Sequence, residues 1–255
     1  MIPSDEYVRK REALARFLRA SNQTGSLALE KTTSNLFRQR IPEPRHKLDV
    51  RHFNQVIHVD VHARVAEVEG MTTYDDLVRE TLPFQLMPAV VPQLKSITIG
   101  GALAGVGIES SSFMYGFVHE TILEIDILLP DGTVVAATKD NRHKDLFFGF
   151  ANSYGTLGYA LKVKVQLVPV KKFVKLRHER YSDLDSYFRA LGCVCQNRRV
   201  DFVDGTMFDD PNMESMVRQG VTTVEPVQTA FTPNEEAIRS TFSPPICVST
   251  CAAGA

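Results

Sequence analysis

Between Gly100 and Gly107 the chain places four glycines in eight residues: Gly100, Gly101, Gly105 and Gly107. The run follows a β-like stretch, Ser96-Ile-Thr-Ile99, and leads into a serine-rich turn, Glu109-Ser-Ser-Ser112. No other feature of the sequence limits the fold as strongly. Glycine lets the backbone approach a ligand closely, and unblocked N–H groups at this spacing suit phosphate oxygens. Two further segments offer related chemistry. Lys31-Thr-Thr-Ser-Asn35 supplies hydroxyls, an amide and an ammonium, and Gly155-Thr-Leu-Gly158 precedes a strand. A lone glycine pair is satisfied by turns and tight packing, but three such segments favour a ligand.

The flanking pattern is mostly β. Gln55-Val-Ile-His-Val-Asp60 and Arg64-Val-Ala-Glu-Val-Glu69 alternate apolar and polar residues as half-buried strands do, with His62-Ala63 turning between them. Residues 120–129 form the most apolar long strand, and Pro130-Asp-Gly132 turns it back into residues 133–137. Residues 159–168 alternate through Leu161, Val163, Val165 and Leu167 until Pro169 stops them. Helices are expected over 5–20 with Ser4 as cap, over 72–80 with Thr72 or Thr73 as cap, and over 144–151. Beyond Lys171 the pattern weakens to a strand at 175–180, a helix at 184–191 and a strand at 200–203. Residues 220–255, interrupted by Pro226, Pro233, Pro244 and Pro245, read as a poorly ordered tail. No regular βαβ period runs through the chain, so the expected class is α+β with mixed or antiparallel sheets and flanking helices.

Composition excludes several function classes. A chain of 255 residues with 44% hydrophobic and 23% charged residues is neither disordered nor a coiled coil. A net charge of −1 gives no electrostatic case for nucleic acid. No stretch of 18 apolar residues occurs, so no membrane span is expected. The first twenty residues are rich in Arg, Lys and Glu and do not read as a secretory signal, which points to the cytoplasm. Cys193, Cys195, Cys247 and Cys251 are spaced too irregularly for a zinc site, and His52, His58 and His62 lack a convincing further ligand, so no metal is expected.

A nicotinamide Rossmann domain does not fit. The order Gly-x-Gly-x-x-Gly is absent, because Ser110 stands at the third-glycine position after Gly105-Val-Gly107. Glu124 and Asp126 lie at the distance expected of the ribose acid, but within a strand.

Taken together, Pro92, Thr98-Ile-Gly-Gly101, Gly107-Ile-Glu-Ser-Ser-Ser112, Tyr115-Gly116, Pro130-Asp-Gly132 and Tyr154-Gly-Thr-Leu-Gly158 resemble the FAD-binding domain of the vanillyl-alcohol oxidase and p-cresol methylhydroxylase type. Within that type the sequence is most similar to the delta(24)-sterol reductase, or diminuto-like, branch. The specific cues are Gly107-Ile-Glu-Ser-Ser-Ser112 and Pro169-Val-Lys-Lys-Phe-Val-Lys-Leu-Arg177, and the similarity runs over residues 29–204. The resemblance implies a fold of two α+β subdomains with FAD between them, over residues 1–170 and divided near 90–100. Residues 171–219 would begin a substrate or cap domain, which makes the chain look truncated.

The resemblance also assigns the site. Lys31, Thr33, Ser34 and Asn35 would take the place of the first pyrophosphate loop. Pro92, Gln93, Ser96, Ile97, Thr98, Ile99, Gly100, Gly101, Gly105, Gly107 and Ser110 would wrap the pyrophosphate and flavin, and Gly155 and Gly158 would border the adenine side. The first loop carries fewer glycines than the family's usual one, and it holds no His or Cys for a covalent tether, so the flavin would be held non-covalently. Full-length relatives of this kind reduce an isolated C=C bond with hydride from NADPH, which brings in a sterol-like or other apolar small molecule; some sit on membranes. No protein acid or base is assigned. The alternative is an inactive truncated FAD-binding paralogue or an interaction protein.

Overall fold

The computed structural model describes residues 1–20, 27–31, 46–181, 183–208 and 218–226. Thr33, Ser34 and Asn35 lie outside them. Helix α1 (Ser4–Ala20) opens the chain, with Asp5 and Glu6 at its positive end. Two short strands follow, β1 (Leu27–Glu30) and β2 (His46–Asp49), paired in parallel. Strands β3 (Val56–Asp60) and β4 (Val65–Glu69) form the expected hairpin, with Arg64 left-handed at its turn. Helix α2 (Tyr74–Thr81) starts where Thr73 caps it by accepting the Asp76 N–H. Next come β5 (Leu86–Pro88), α3 (Ile99–Gly105), the one-turn α4 (Ser112–Tyr115), the hairpin of β6 (Ile122–Leu128) and β7 (Val134–Ala137), then α5 (Lys144–Phe150) and β8 (Tyr159–Pro169).

β3 to β8 build one antiparallel sheet in the order β3-β4-β8-β6-β7, with β5 also paired to β8. β8 is the longest strand and has three partners, β4, β5 and β6. One face of the sheet is apolar: Val68, Ile125, Ile127, Val163, Val165 and Leu167 share a core with Tyr74 and Leu77 of α2 and Ile99 and Leu103 of α3. The other face lies under α1 and is partly ionic. Tyr7 and Leu18 pack with Phe53, Ile57, Leu128 and Leu161. Beside them Glu67 stands opposite Lys164, and Asp126 opposite Lys162. The Tyr7 hydroxyl donates to Asp126 Oδ2 at 2.7 Å, and Lys10 Nζ meets the fully buried Glu69 Oε1 at 2.5 Å.

The chain then builds a separate antiparallel sheet from β9 (Val174–Tyr181), β10 (Phe202–Phe208) and β11 (Arg218–Pro226), ordered β10-β11-β9. Helix α6 (Leu184–Asn197) packs on it, capped by Asp183, which accepts the Ser186 N–H at 2.8 Å. Tyr187 is the one fully buried side chain of its core among the described residues, packed with Tyr181, Leu191 and Val203.

The α+β class with flanking helices holds, and three local expectations are corrected. Residues 99–105 are a helix rather than a glycine-rich turn: Thr98 caps it, and Ala102-Leu-Ala104 supplies the helix formers. Residues 96–99 are not a strand; only a single bridge joins Thr73 and Thr98. Residues 220–226, expected in the tail, belong to β11, because β9 and β10 offer it an edge on each side. The strands on either side of residues 90–100 share one sheet, so no division falls there in the sheet.

Candidate functional site

The glycine-rich segment is laced onto the end of β4. Gly70, the next residue, has no room for a side chain, since a Cβ there would stand 1.9 Å from the Ala160 carbonyl oxygen. Its own carbonyl accepts the Gly100 N–H at 2.9 Å, and the Thr72 carbonyl accepts the Ile99 N–H at 3.0 Å. Tyr74 N–H donates back to Ile97 O and Asp75 N–H to Lys95 O, at 3.0 and 3.2 Å. Residues 95–100 are thereby fixed against 70–75, and α3 begins on the sheet. Thr98 Oγ1 accepts the Gly101 N–H at 3.2 Å, closing the cap. The helix ends at Val106, a β-branched residue held left-handed at φ 57, and Gly107 N–H returns to Ala102 O at 3.1 Å.

The Gly155 segment docks on the other end of α3. Tyr154 N–H donates to Ala104 O at 3.1 Å. Asn152 and Tyr154 are both left-handed without being glycine, as Val106 is, so strained backbone sits on both sides of this contact. The root of the first segment reaches the same neighbourhood through the backbone. Val50 N–H donates to Glu30 O, Phe53 N–H to Val50 O and Met71 N–H to Phe53 O, which leads from the end of β1 to the turn at Gly70. Lys31 follows directly on β1 and is half-buried.

The expected site residues divide into two groups. Gly100, Gly107 and Gly158 are required by packing: a Cβ would stand 2.7 Å from Gly70 O, 2.8 Å from Val118 Cγ2 and 2.5 Å from Leu128 O respectively. Gly105 faces room, its nearest neighbour being the Tyr154 ring at 3.6 Å. Gly101 is exposed, though a Cβ would press on Thr98 Oγ1 at 3.0 Å, and Gly155 is held at φ 85 with the Tyr159 ring at 3.3 Å. Pro92, Thr98 and Ile99 are buried, Gln93, Ile97 and Ser110 half-buried, and Ser96 exposed. Because the Ile99, Gly100 and Gly101 N–H groups already have protein acceptors, the accessible donors are the Ser96 and Lys95 side chains, with Lys95 only loosely paired to Asp75 at 3.9 Å. A groove of about 220 Å³ borders the segment between α2 and residues 91–95, but it includes neither Gly101 nor Gly105.

Two residues of this region escaped the sequence reading. Gly70 carried one visible signal, a lone glycine closing an alternating strand. Glu109 carried none beyond being an acid in a glycine- and serine-rich run, yet its Oε1 accepts the Gln93 N–H at 2.8 Å.

Comparison with known proteins gives this arrangement its family. The family described as FAD binding domain matches residues 6–138, just over half of the chain. The chain belongs to that family. Its cofactor is FAD. It is similar to the Delta(24)-sterol reductase of Pisum sativum, 38% identical over 133 residues that make up 52% of this chain and 24% of that protein. It is 29% identical to the Delta(24)-sterol reductase of Homo sapiens over 180 residues, 71% of this chain and 34% of that one. Cytokinin dehydrogenase 1 of Arabidopsis thaliana is 26% identical over 140 residues, 54% of this chain and 24% of that protein. The chain thus spans about a quarter to a third of the length of these relatives.

The donor chemistry fits FAD. A diphosphate needs hydroxyl and ammonium donors and a backbone it can approach. Ser96 and Lys95 supply the donors, beside the exposed backbone of Gly101. Among the described residues no helix is long and apolar enough to cross a membrane.

Proposed function

We propose that this chain is the cofactor-holding part of an FAD-dependent oxidoreductase that reduces a carbon–carbon double bond in a sterol-like or other apolar molecule, with NADPH as donor. One observation carries the reading: Gly101 is exposed and Gly105 faces room on α3, whose C-terminal end at Val106 meets the strained 152–154 segment. The names of the matched reductases supply the substrate class. When bound, FAD supplies the hydride transfer between donor and alkene. The chain's part is to hold and orient. Ser96 and Lys95 take the diphosphate, with Gly101 letting it approach the backbone and Thr98 fixing the helix start. The Gly70–Gly100 and Ala104–Tyr154 hydrogen bonds keep that surface from shifting. Lys31, Thr33, Ser34 and Asn35 complete the phosphate side in this reading, and the sheet of β9, β10 and β11 is the first layer of the substrate side. The flavin is held non-covalently.

A spectrum of the purified chain tests the reading first: a flavin band near ~450 nm is expected. The filtrate after acid denaturation should carry all of the flavin. Gly101→Ala then tests the placement. Alanine is favoured over glycine inside a helix by about 1 kcal/mol, which offsets the close approach of its Cβ to Thr98 Oγ1 at 3.0 Å; the unfolding midpoint of the apo variant is measured beside its affinity. FAD affinity should fall about tenfold or more, or ~1.4 kcal/mol. Wild-type affinity in this variant would remove the site from α3.

A further inference from the structure

Tyr154 holds a conformation that its residue type resists. Its φ is 50, in the left-handed region, and Asn152, Gly155 and Gly158 around it lie at 60, 85 and 135. Glycine and asparagine enter this region readily; a bulky side chain does so only where its surroundings enforce it. Here the last turn of α3 enforces it. The Tyr154 N–H donates to Ala104 O at 3.1 Å, and the Tyr154 hydroxyl to Gly105 O at 3.5 Å. Yet the residue stays 49% exposed. Core packing therefore does not account for an aromatic ring at this place.

The surface beside the ring is bare backbone. Gly105 is the last residue of α3, and a Cβ there would stand 3.6 Å from the Tyr154 ring, an ordinary contact. Packing would accept alanine, which helices favour. With glycine instead, the ring and the uncovered turn adjoin directly. Charge divides the two ends of α3. Lys95 and Ser96 stand before its first turn. Residues 152–158, Asn-Ser-Tyr-Gly-Thr-Leu-Gly, carry no charge, and Leu157 is exposed as Tyr154 is. The seven residues of α3 separate the two ends by about 10 Å. In a dinucleotide the sugar link between diphosphate and ring covers a gap of that order.

We propose that Tyr154 is a further cofactor-binding residue: a flat, uncharged heterocycle stacks on its ring where the ring adjoins Gly105, while the diphosphate lies at Lys95 and Ser96. The proposal rests on the FAD reading above. Stacking on an aromatic face asks only for a flat π system, so both the adenine and the isoalloxazine of FAD have the required chemistry. The strained backbone fixes the ring before the cofactor arrives, which spares binding the cost of ordering it.

The test measures FAD, ADP and FMN affinity, and the unfolding midpoint without ligand, for wild type, Tyr154→Phe and Tyr154→Asn. Phenylalanine keeps the ring and drops the hydroxyl. Asparagine drops the ring and suits the left-handed backbone. FAD should bind Tyr154→Phe as it binds wild type, and Tyr154→Asn about tenfold more weakly, or ~1.4 kcal/mol. The midpoint of Tyr154→Asn should be no lower than that of wild type. A tenfold loss that falls on ADP assigns the stacked ring to adenine; one that falls on FMN assigns it to the isoalloxazine. Wild-type FAD affinity in Tyr154→Asn overturns the proposal. An equal loss in Tyr154→Phe also overturns it, because the hydroxyl and not the ring is then at work. A lowered midpoint in Tyr154→Asn that matches the affinity loss does the same, because the ring then acts through packing. If wild type takes up no FAD, the cofactor reading itself falls, and this proposal with it.

Discussion

The two faces of the six-stranded sheet are covered by helices in different ways. Under α2 and α3 the contact is apolar, and its directional elements are backbone to backbone, Gly100 N–H to Gly70 O and Ile99 N–H to Thr72 O. Under α1 the apolar packing is joined by polar pairs: Lys10 to Glu69, Tyr7 to Asp126 and, within the sheet beneath, Lys162 to Glu124 at 3.2 Å. Apolar burial is non-directional and says only that two surfaces belong together. A set of paired charges gains little net stability over apolar packing, but a shifted helix would leave charges buried and unpaired. The α2/α3 face thus rests on close approach, and the α1 face on pairing.

The strongest way to break that contrast is Gly100→Val. The side chain would drive into Gly70 O, a backbone atom that cannot step aside, and separate α3 from the sheet. A loss of about 5 kcal/mol is expected, at the exceptional end for one substitution. Denaturant unfolding measures it, and a wild-type midpoint would show that α3 does not depend on this approach.

On the ionic face Lys10→Met leaves the fully buried Glu69 without its cation, at a cost of about 3–4 kcal/mol near neutral pH. Burial already holds Glu69 above the ordinary carboxylate range despite Lys10. Without Lys10 its folded-state value rises further above the unfolded one. A group raised in this way favours the fold while protonated and loses that contribution as pH rises through the folded value. The deficit of the variant should therefore shrink as the solution is acidified, and adding Glu69→Gln should return most of it. A deficit that does not change with pH would mean that Lys10 acts through its packing on the Phe53 ring.

Tyr7→Phe is the mildest test. It removes one buried hydrogen bond while Arg11 and Lys162 remain near Asp126, each at 3.8 Å. A loss of about 1 kcal/mol is expected, seen as a small shift of the unfolding midpoint with an unchanged slope.

Alternation made the sheet legible: the β3–β4 hairpin, β6, β7 and β8 lie where period-two patterning and the turn at Pro130-Asp-Gly132 put them. α3 was hidden because its three glycines and the fourth at Gly107 argue for a turn, while the signals for a helix, a threonine cap and three small or apolar residues, are weaker in a linear reading. β11 was hidden because a strand short of apolar residues depends on the edges that receive it. The candidate site was legible as chemistry but not as roles. Gly100 and Gly101 are neighbours of the same type, and only the arrival of Gly70 from thirty residues earlier separates the packed one from the open one. Glu109 resisted for the same reason, since its partner at Gln93 lies sixteen residues away on the far side of α3 in the chain.

The place of β8 in the sheet has a consequence for how the protein is made. This strand lies between β4 and β6, holds β5 as well, and is the last of the six to leave the ribosome. Until Tyr159 to Pro169 emerge, the two hairpins wait with the inner edges of β4 and β6 open, and α1 has no finished surface to settle on. Open edges of this kind pair readily with other chains. Nascent chains that stall before β8 should be the ones that need chaperone cover, and release of that cover should follow the synthesis of a single strand.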